Sequence, residues 1–258
     1  MYAEPFGFAL MDKETDQKYC TTSGLEAAVY LLPVALSDGT PTDVLPARNI
    51  EILRNLKYFC VENIRTACRF LKRVDRNIDI DSLTFTELNE HTSPADIPAI
   101  LETVVKGNPL GVMSEAGCPG VADPGAALVE LAQRRGIKVI PLVGPSSILL
   151  SLMASGMNGQ NFTFNGYLPI GDKEREAALR RMATNVSKHD VTQIFIETPY
   201  RNNKLIATLL RVLPGDMKLC IASDLTGCAE SVVTRTLSEW KKTNYNFDKV
   251  PAIFLLGR

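Results

Sequence analysis

With 258 residues, 45% of them hydrophobic and 22% charged, the chain has the composition of a folded protein and the length of one large domain or two ordinary ones. Its formal net charge of -1 gives no overall basic field, so a nucleic-acid role needs a local basic patch. No apolar run reaches the ~18–20 residues of a membrane span, and Met1-Tyr2-Ala3-Glu4-Pro5 lacks the basic start and apolar core of a signal peptide.

Residues 1–26 are mixed and polar and read as an extension. The first strand is Ala28 to Pro33, running into a loop with turn chemistry up to Pro41. Ile50, Leu53 and Leu56 keep a helical period within 47–56. Tyr58 to Val61 reads as a short strand and Ile64 to Val74 as a helix. Pro94 to Val105 reads as another helix, with Thr92 or Ser93 able to cap it. Leu110-Gly111-Val112-Met113 is a buried strand. It leads through Ser114 to Gly125 into a helix that ends near Arg135. Ile137 to Leu142 is a strand, followed by Val143-Gly144-Pro145-Ser146-Ser147 and a helix over 148–154. The turn-rich stretch 155–161 links two halves. Beyond it come strands at 162–164, 192–197 and 218–223, another at 232–236 that pairs antiparallel, and a last one at 252–256. Helices lie near 173–186 and 203–213. This alternation predicts an α/β protein with a mainly parallel sheet: an N-terminal α/β domain over 27–158 and a C-terminal α/β domain over 159–258.

Three loops, 33–40, 114–125 and 144–147, follow strands in the first half. If those strands are parallel, the loops open on one edge, where α/β sheets hold ligands. Gly117, Gly120 and Gly125 let the backbone be approached closely, although Gly and Pro here also serve a plain turn. None of the loops is a dinucleotide fingerprint or a phosphate-binding Gly-Lys loop, so neither NAD nor ATP is indicated. Six cysteines show no C-x-x-C spacing, and His91 and His189 lie far apart, so the thiols read as reduced and cytoplasmic and no metal site is expected. Cys118 lacks a neighbouring base that would make it a nucleophile. Glu62, Asn63, Glu90, Glu115 and His91 offer proton-transfer groups, each also an ordinary cap or surface residue. Arg65, Arg69, Lys72, Arg73 and Arg76 form a basic cluster that would meet phosphates if it flanks the cleft.

Ser114-Glu-Ala-Gly-Cys-Pro-Gly-Val-Ala-Asp-Pro-Gly125 and Pro141-Leu-Val-Gly-Pro-Ser-Ser147 resemble the tetrapyrrole methylase superfamily. The nearest branch methylates a ribose 2′-hydroxyl of small-subunit ribosomal RNA. Phe164-Asn-Gly-Tyr-Leu-Pro169, Glu197-Thr-Pro-Tyr-Arg201 and Asp224-Leu-Thr-x-x-x-Glu230 are similar to further motifs of that branch, in order along about residues 28–258. The resemblance implies two α/β domains, a homodimer, and S-adenosylmethionine held in the cleft between the domains. It implies cofactor contacts at Pro33, Val34, Ser114, Glu115, Gly117, Cys118, Ser146, Ser147, Leu168, Ala222, Thr226 and Ala252. For a ribose acceptor, Glu62 or His91 would act as base and Arg65 would orient a phosphate. The chain departs from the pattern at Pro33-Val-Ala-Leu-Ser37, at Glu62-Asn-Ile-Arg65, which loses one carboxylate, and at Asn89-Glu-His-Thr-Ser93, which keeps one histidine. It has no counterpart of the C-terminal helical module of many relatives. A methylase of a small tetrapyrrole-like or protein substrate and a non-catalytic S-adenosylmethionine-binding protein remain the alternatives.

Overall fold

A computed structural model describes residues 24–258, so most of the expected extension lies outside the described residues. Two five-stranded sheets organise the chain. The first contains β1 (Val29–Leu31), β2 (Tyr58–Val61), β3 (Thr84–Glu87), β4 (Leu110–Met113) and β5 (Val139–Pro141), in the order β3-β2-β4-β1-β5. All its pairings are parallel. Because parallel strands run the same way, the loops after β1, β4 and β5 emerge together at the carboxyl edge.

Helices cover both faces of this sheet, and each face has its own core. Central strand β4 is buried along its whole length. Gly111 is required there by packing: a Cβ would sit 2.6 Å from Leu32 Cδ1 and 3.0 Å from Leu56 Cδ1. Helix α1 (Pro41–Val44) and α2 (Ala47–Asn55) follow β1, α3 (Ile64–Val74) follows β2, α4 (Ile97–Val105) follows β3, and α5 (Gly125–Arg134) follows β4. Asn63 caps α3, its side chain accepting from Thr66 N.

The second sheet contains β6 (Phe162–Tyr167), β7 (Thr192–Ile196), β8 (Lys218–Ser223), β9 (Ser231–Thr236) and β10 (Ala252–Gly257), in the order β6-β7-β10-β8-β9. Only β6 and β7 pair in parallel; β10 and the β8–β9 hairpin are antiparallel. The mainly parallel expectation therefore holds for the first half and gives way to a mixed sheet in the second. Helix α6 (Ser147–Ser155) precedes residue 159 but packs on this second sheet. Leu152 joins Ile194, Cys220, Ala222 and Ile253 in one core, and Thr234 Oγ1 donates to Ser155 O at 2.8 Å. On the other face lie α7 (Asp172–His189), α8 (Asn202–Val212) and α9 (Leu237–Trp240), with Trp240 buried and donating to Leu219 O at 2.8 Å.

Three sequence expectations shift. The 94–105 helix starts at Ile97, and Asp96 at its cap makes no side-chain bond. Thr92 and Ser93 instead accept from Asn89 N and Ala95 N, which builds turns ahead of the helix. Strand β3 was not expected, because its four residues are mostly exposed at the sheet edge and bury no apolar stripe.

Candidate cofactor site

The three loops meet. Val34 N donates to Gly117 O at 2.9 Å and Gly117 N returns the bond to Val34 O at 3.0 Å, closing a two-residue bridge between the first loop and the 114–125 loop. The third loop presses on the first: a Cβ at Gly144 would lie 2.1 Å from Pro33 Cβ. Cys118 Sγ donates to Pro145 O at 3.5 Å, tying the second loop to the third. Asp123 then fixes the far end of the long loop, accepting from Gly120 N at 2.8 Å and from Gly125 N at 2.7 Å at the start of α5. Ala122 between them has φ 59°, a left-handed conformation that costs a non-glycine residue energy and that the loop's bonds hold in place.

The opposite wall comes from strand ends of the second sheet. Ala222 and Ile253 are direct neighbours in register across β8 and β10. On β6 the pairing shifts between Phe164 and Tyr167. Residues three apart on a strand normally face opposite sides; the bulge lets Phe164 and Tyr167 both line the cleft. The β8–β9 turn is built by the Asp-Leu-Thr-x-x-x-Glu motif. Asp224 and Thr226 have φ 47° and 65°, Asp224 Oδ2 accepts from Ala229 N at 2.8 Å, and Glu230 Oε2 accepts from Thr226 N at 2.6 Å. Thr226 reaches across to the first loop, its hydroxyl 3.4 Å from that of Ser37.

Between the walls lies a cavity of about 360 Å³. Of the residues expected to contact a cofactor, Ser114, Glu115, Gly117, Cys118, Ser146, Ser147, Ala222 and Ala252 line it. The other four expected contacts sit elsewhere. Val34 lines an adjoining cavity, Pro33 is buried behind Gly144, Leu168 is buried in the core beneath α7, and Thr226 is held in the β8–β9 turn.

Of the expected catalytic residues, Glu62 alone stands on the wall. Its Oε1 accepts from Glu115 N at 3.1 Å, while Thr66 Oγ1 donates to Glu115 Oε1 at 2.6 Å. Burial pushes the Glu62 carboxyl above the usual carboxylate range; the Glu115 amide offsets part of this, and the negative charges of Asp123 and Glu115 add to it. Burial likewise raises Asp123 against its backbone hydrogen bonds. Arg65 is exposed on α3 and lines neither cavity. His91 is also off both walls, its side chain 85% exposed and 3.6 Å from Glu90 Oε1. Burial raises the Cys118 thiol too, which keeps it protonated and unlike a nucleophile.

Among the wall residues not singled out from the sequence as site residues are Phe164, Tyr167, Asp123 and Glu197. These four lie inside the quoted motifs, so motif membership was the available signal. Glu197 is buried. Its Oε1 accepts from Thr198 N at 2.7 Å and Arg201 Nε at 2.9 Å, whereas its buried Oε2 has no partner. Among the described residues no cluster of three or more His, Cys, Asp or Glu is arranged to hold a metal ion.

No family model matches the chain. It is 30% identical over 211 residues to "Ribosomal RNA small subunit methyltransferase I" of Vibrio cholerae serotype O1, covering 82% of this chain and 69% of that protein. It is 31% identical over 220 residues to the protein of the same name from Streptococcus pyogenes serotype M6, covering 84% and 70%. Among solved structures it resembles the methyltransferase CobJ, with TM-score 0.60, 17% identity and coverage of 92% and 95%. It also resembles uroporphyrin-III C-methyltransferase from Thermus thermophilus complexed with S-adenosylhomocysteine, with TM-score 0.54, 17% identity and coverage of 90% and 97%.

Proposed function

The chain belongs to the family of ribosomal RNA small subunit methyltransferase I, and from that premise we propose that it transfers a methyl group from S-adenosylmethionine to a ribose 2′-hydroxyl of small-subunit ribosomal RNA. The observation that carries the cofactor part is the cavity between the two sheets. It lies at the carboxyl edge of a parallel sheet, under three loops that hydrogen-bond or pack against one another.

The residues present fit S-adenosylmethionine. A volume of about 360 Å³ is in the range of small-molecule sites. Phe164, Ile148, Ile253 and Leu225 give apolar surface, and Ser114, Ser146 and Ser147 add hydroxyls. The unpartnered Glu197 Oε2 is an acceptor that a hydroxyl or ammonium of the guest would satisfy. When bound, S-adenosylmethionine supplies an electrophilic methyl: the acceptor oxygen bonds to its carbon, and the C–S electron pair stays on sulfur. The protein positions the two partners and excludes water. Glu62 takes the proton of the attacking hydroxyl, a role suited by its raised affinity for a proton. The Glu115 amide holds that carboxylate in place, and Thr66 in turn holds the Glu115 side chain. His91 would join only by movement of its exposed loop.

We further propose that residues 27–158 and 159–258 act as two domains closing on the cofactor, with α6 reaching from the first span onto the second sheet, and that the protein works in the cytoplasm as a homodimer. Val143, Leu149 and Met153 leave 76%, 53% and 79% of their surface exposed beside and along α6, an apolar face that a second copy would cover. Incubating the enzyme with labelled S-adenosylmethionine and small-subunit ribosomal RNA from cells lacking it tests the whole reading. Label is expected at one ribose; no transfer to RNA rejects the acceptor.

A further inference from the structure

A second cavity of about 470 Å³ adjoins the first. The two share Leu36, Glu62, Ser114, Glu115, Ala116 and Pro251, so one wall faces both. The far side of the second cavity is helix α3. Thr66, Arg69 and Arg73 recur at three- and four-residue spacing and point one stripe of the helix into it. Arg65 falls outside that stripe.

The two arginines of the stripe differ. Arg73 is committed to the protein: it donates to the carbonyls of Ser37 and Gly39 and lies 3.6 Å from Asp38. Arg69 makes no hydrogen bond or ion pair among the described residues. The carboxylates around the cavity are distributed unevenly as well. Glu62 and Glu115 sit on the shared wall, Asp38 is paired with Arg73, and Asp224 is turned to Ala229 N within its own turn. Moving along α3 from Thr66, which touches Glu115, to Arg69 climbs about 4.5 Å, so the lining passes from acidic to basic within one helical turn.

We infer that this second cavity is the acceptor subsite, that it takes one nucleotide of a single-stranded RNA, and that Arg69 binds the phosphate next to the ribose whose hydroxyl faces Glu62. The inference rests on the proposed RNA methyl transfer and names the residue that receives the acceptor's charge. An unpaired guanidinium offers the forked donor pattern that a phosphate accepts, whereas a carboxylate-lined wall repels phosphate and admits a hydroxyl. The acceptor is thereby oriented with its hydroxyl inward, toward the methyl, and its backbone outward. The phosphate-orienting role expected of Arg65 passes to Arg69, one turn further along the same helix.

Fluorescence anisotropy with a labelled single-stranded oligoribonucleotide, over a salt series, tests this in the wild type, Arg69→Gln and Arg65→Gln. Arg69→Gln is expected to weaken binding about tenfold and to lower the slope of log affinity against log salt by about 0.7, the release of one phosphate contact. Its affinity for S-adenosylmethionine, titrated separately, stays at the wild-type value, and Arg65→Gln keeps the wild-type slope. Wild-type affinity and slope in Arg69→Gln overturn the inference. So does an equal loss in Arg65→Gln, or RNA binding by the wild type that ignores salt. A wild type that fails to bind S-adenosylmethionine defeats the underlying methyltransferase reading instead, so the two failures are distinct.

Discussion

On the N-terminal side of the cleft the wall is made of loops, with Glu62, Glu115 and Asp123 among its residues; on the C-terminal side it is made of strand ends, with Ala222, Ala252, Ile253 and Phe164. The first wall carries three carboxylates and is fixed by the Val34–Gly117 backbone bonds between distant loops and by the Asp123 side chain within one of them. The second is largely apolar, held in place by sheet register and one bulge. Loops after parallel strands can present polar groups without breaking the ladder, while strands inside a sheet can offer only side chains of one face. The proton-transfer group thus stands on the first wall and most of the apolar binding surface on the second, and each assignment can be broken separately.

The largest effect is expected at Glu62. Glu62→Gln keeps an acceptor for Glu115 N but cannot take a proton, so kcat should fall by about 10²–10⁴-fold while S-adenosylmethionine still binds. Unchanged kcat would remove the base from this wall. Gly144→Val comes next. The new side chain collides with Pro33 and drives two loops apart, at about 1–3 kcal/mol of stability and with weaker cofactor binding, read by thermal melting and calorimetry. On the other wall, Ala252→Leu intrudes into the cavity. It should weaken S-adenosylmethionine binding about tenfold with little change in melting temperature, since the residue is only half-buried.

The pH response separates the walls further. Glu62 and Asp123 hold protons more tightly in the folded protein than in the unfolded chain. Over the window from the ordinary carboxylate value up to the raised one, the folded state binds more protons, so stability falls as pH rises through it. The activity of a Glu62 base rises over the same window. In Glu62→Gln the fall in stability should shrink; an unaltered melting profile across that window would contradict the assignment. The smallest effect is at Cys118: Cys118→Thr should leave kcat within about twofold, because the thiol is protonated and only bonds a carbonyl.

Much of the first wall was legible in the sequence because its motifs are contiguous. Ser114 to Gly125 spells strand end, glycine loop and helix start in one run, and Ser146 is both a helix cap and a wall residue. Ile64–Val74 and Lys218–Ser223 are legible to the residue, the first from its helical apolar period and the second from its continuous apolar run between Lys218 and Ser223. The remaining features depend on distant pairings. The Val34–Gly117 bridge joins residues more than eighty positions apart, and the β6 bulge that turns Tyr167 into the cleft is visible only in register. His91 and Arg65 carried the right chemical types, but helix phase and loop exposure place them off the wall. The helix phase of α3, counted from its Asn63 cap, was the signal that favours Arg69 over Arg65.

Calorimetric titration of S-adenosylmethionine into the wild-type protein tests the central claim, that the cleft between the two sheets is a cofactor site. The account predicts saturable binding at one site per chain, weakened in Ala252→Leu. No heat of binding, or binding that Ala252→Leu leaves untouched, would contradict it.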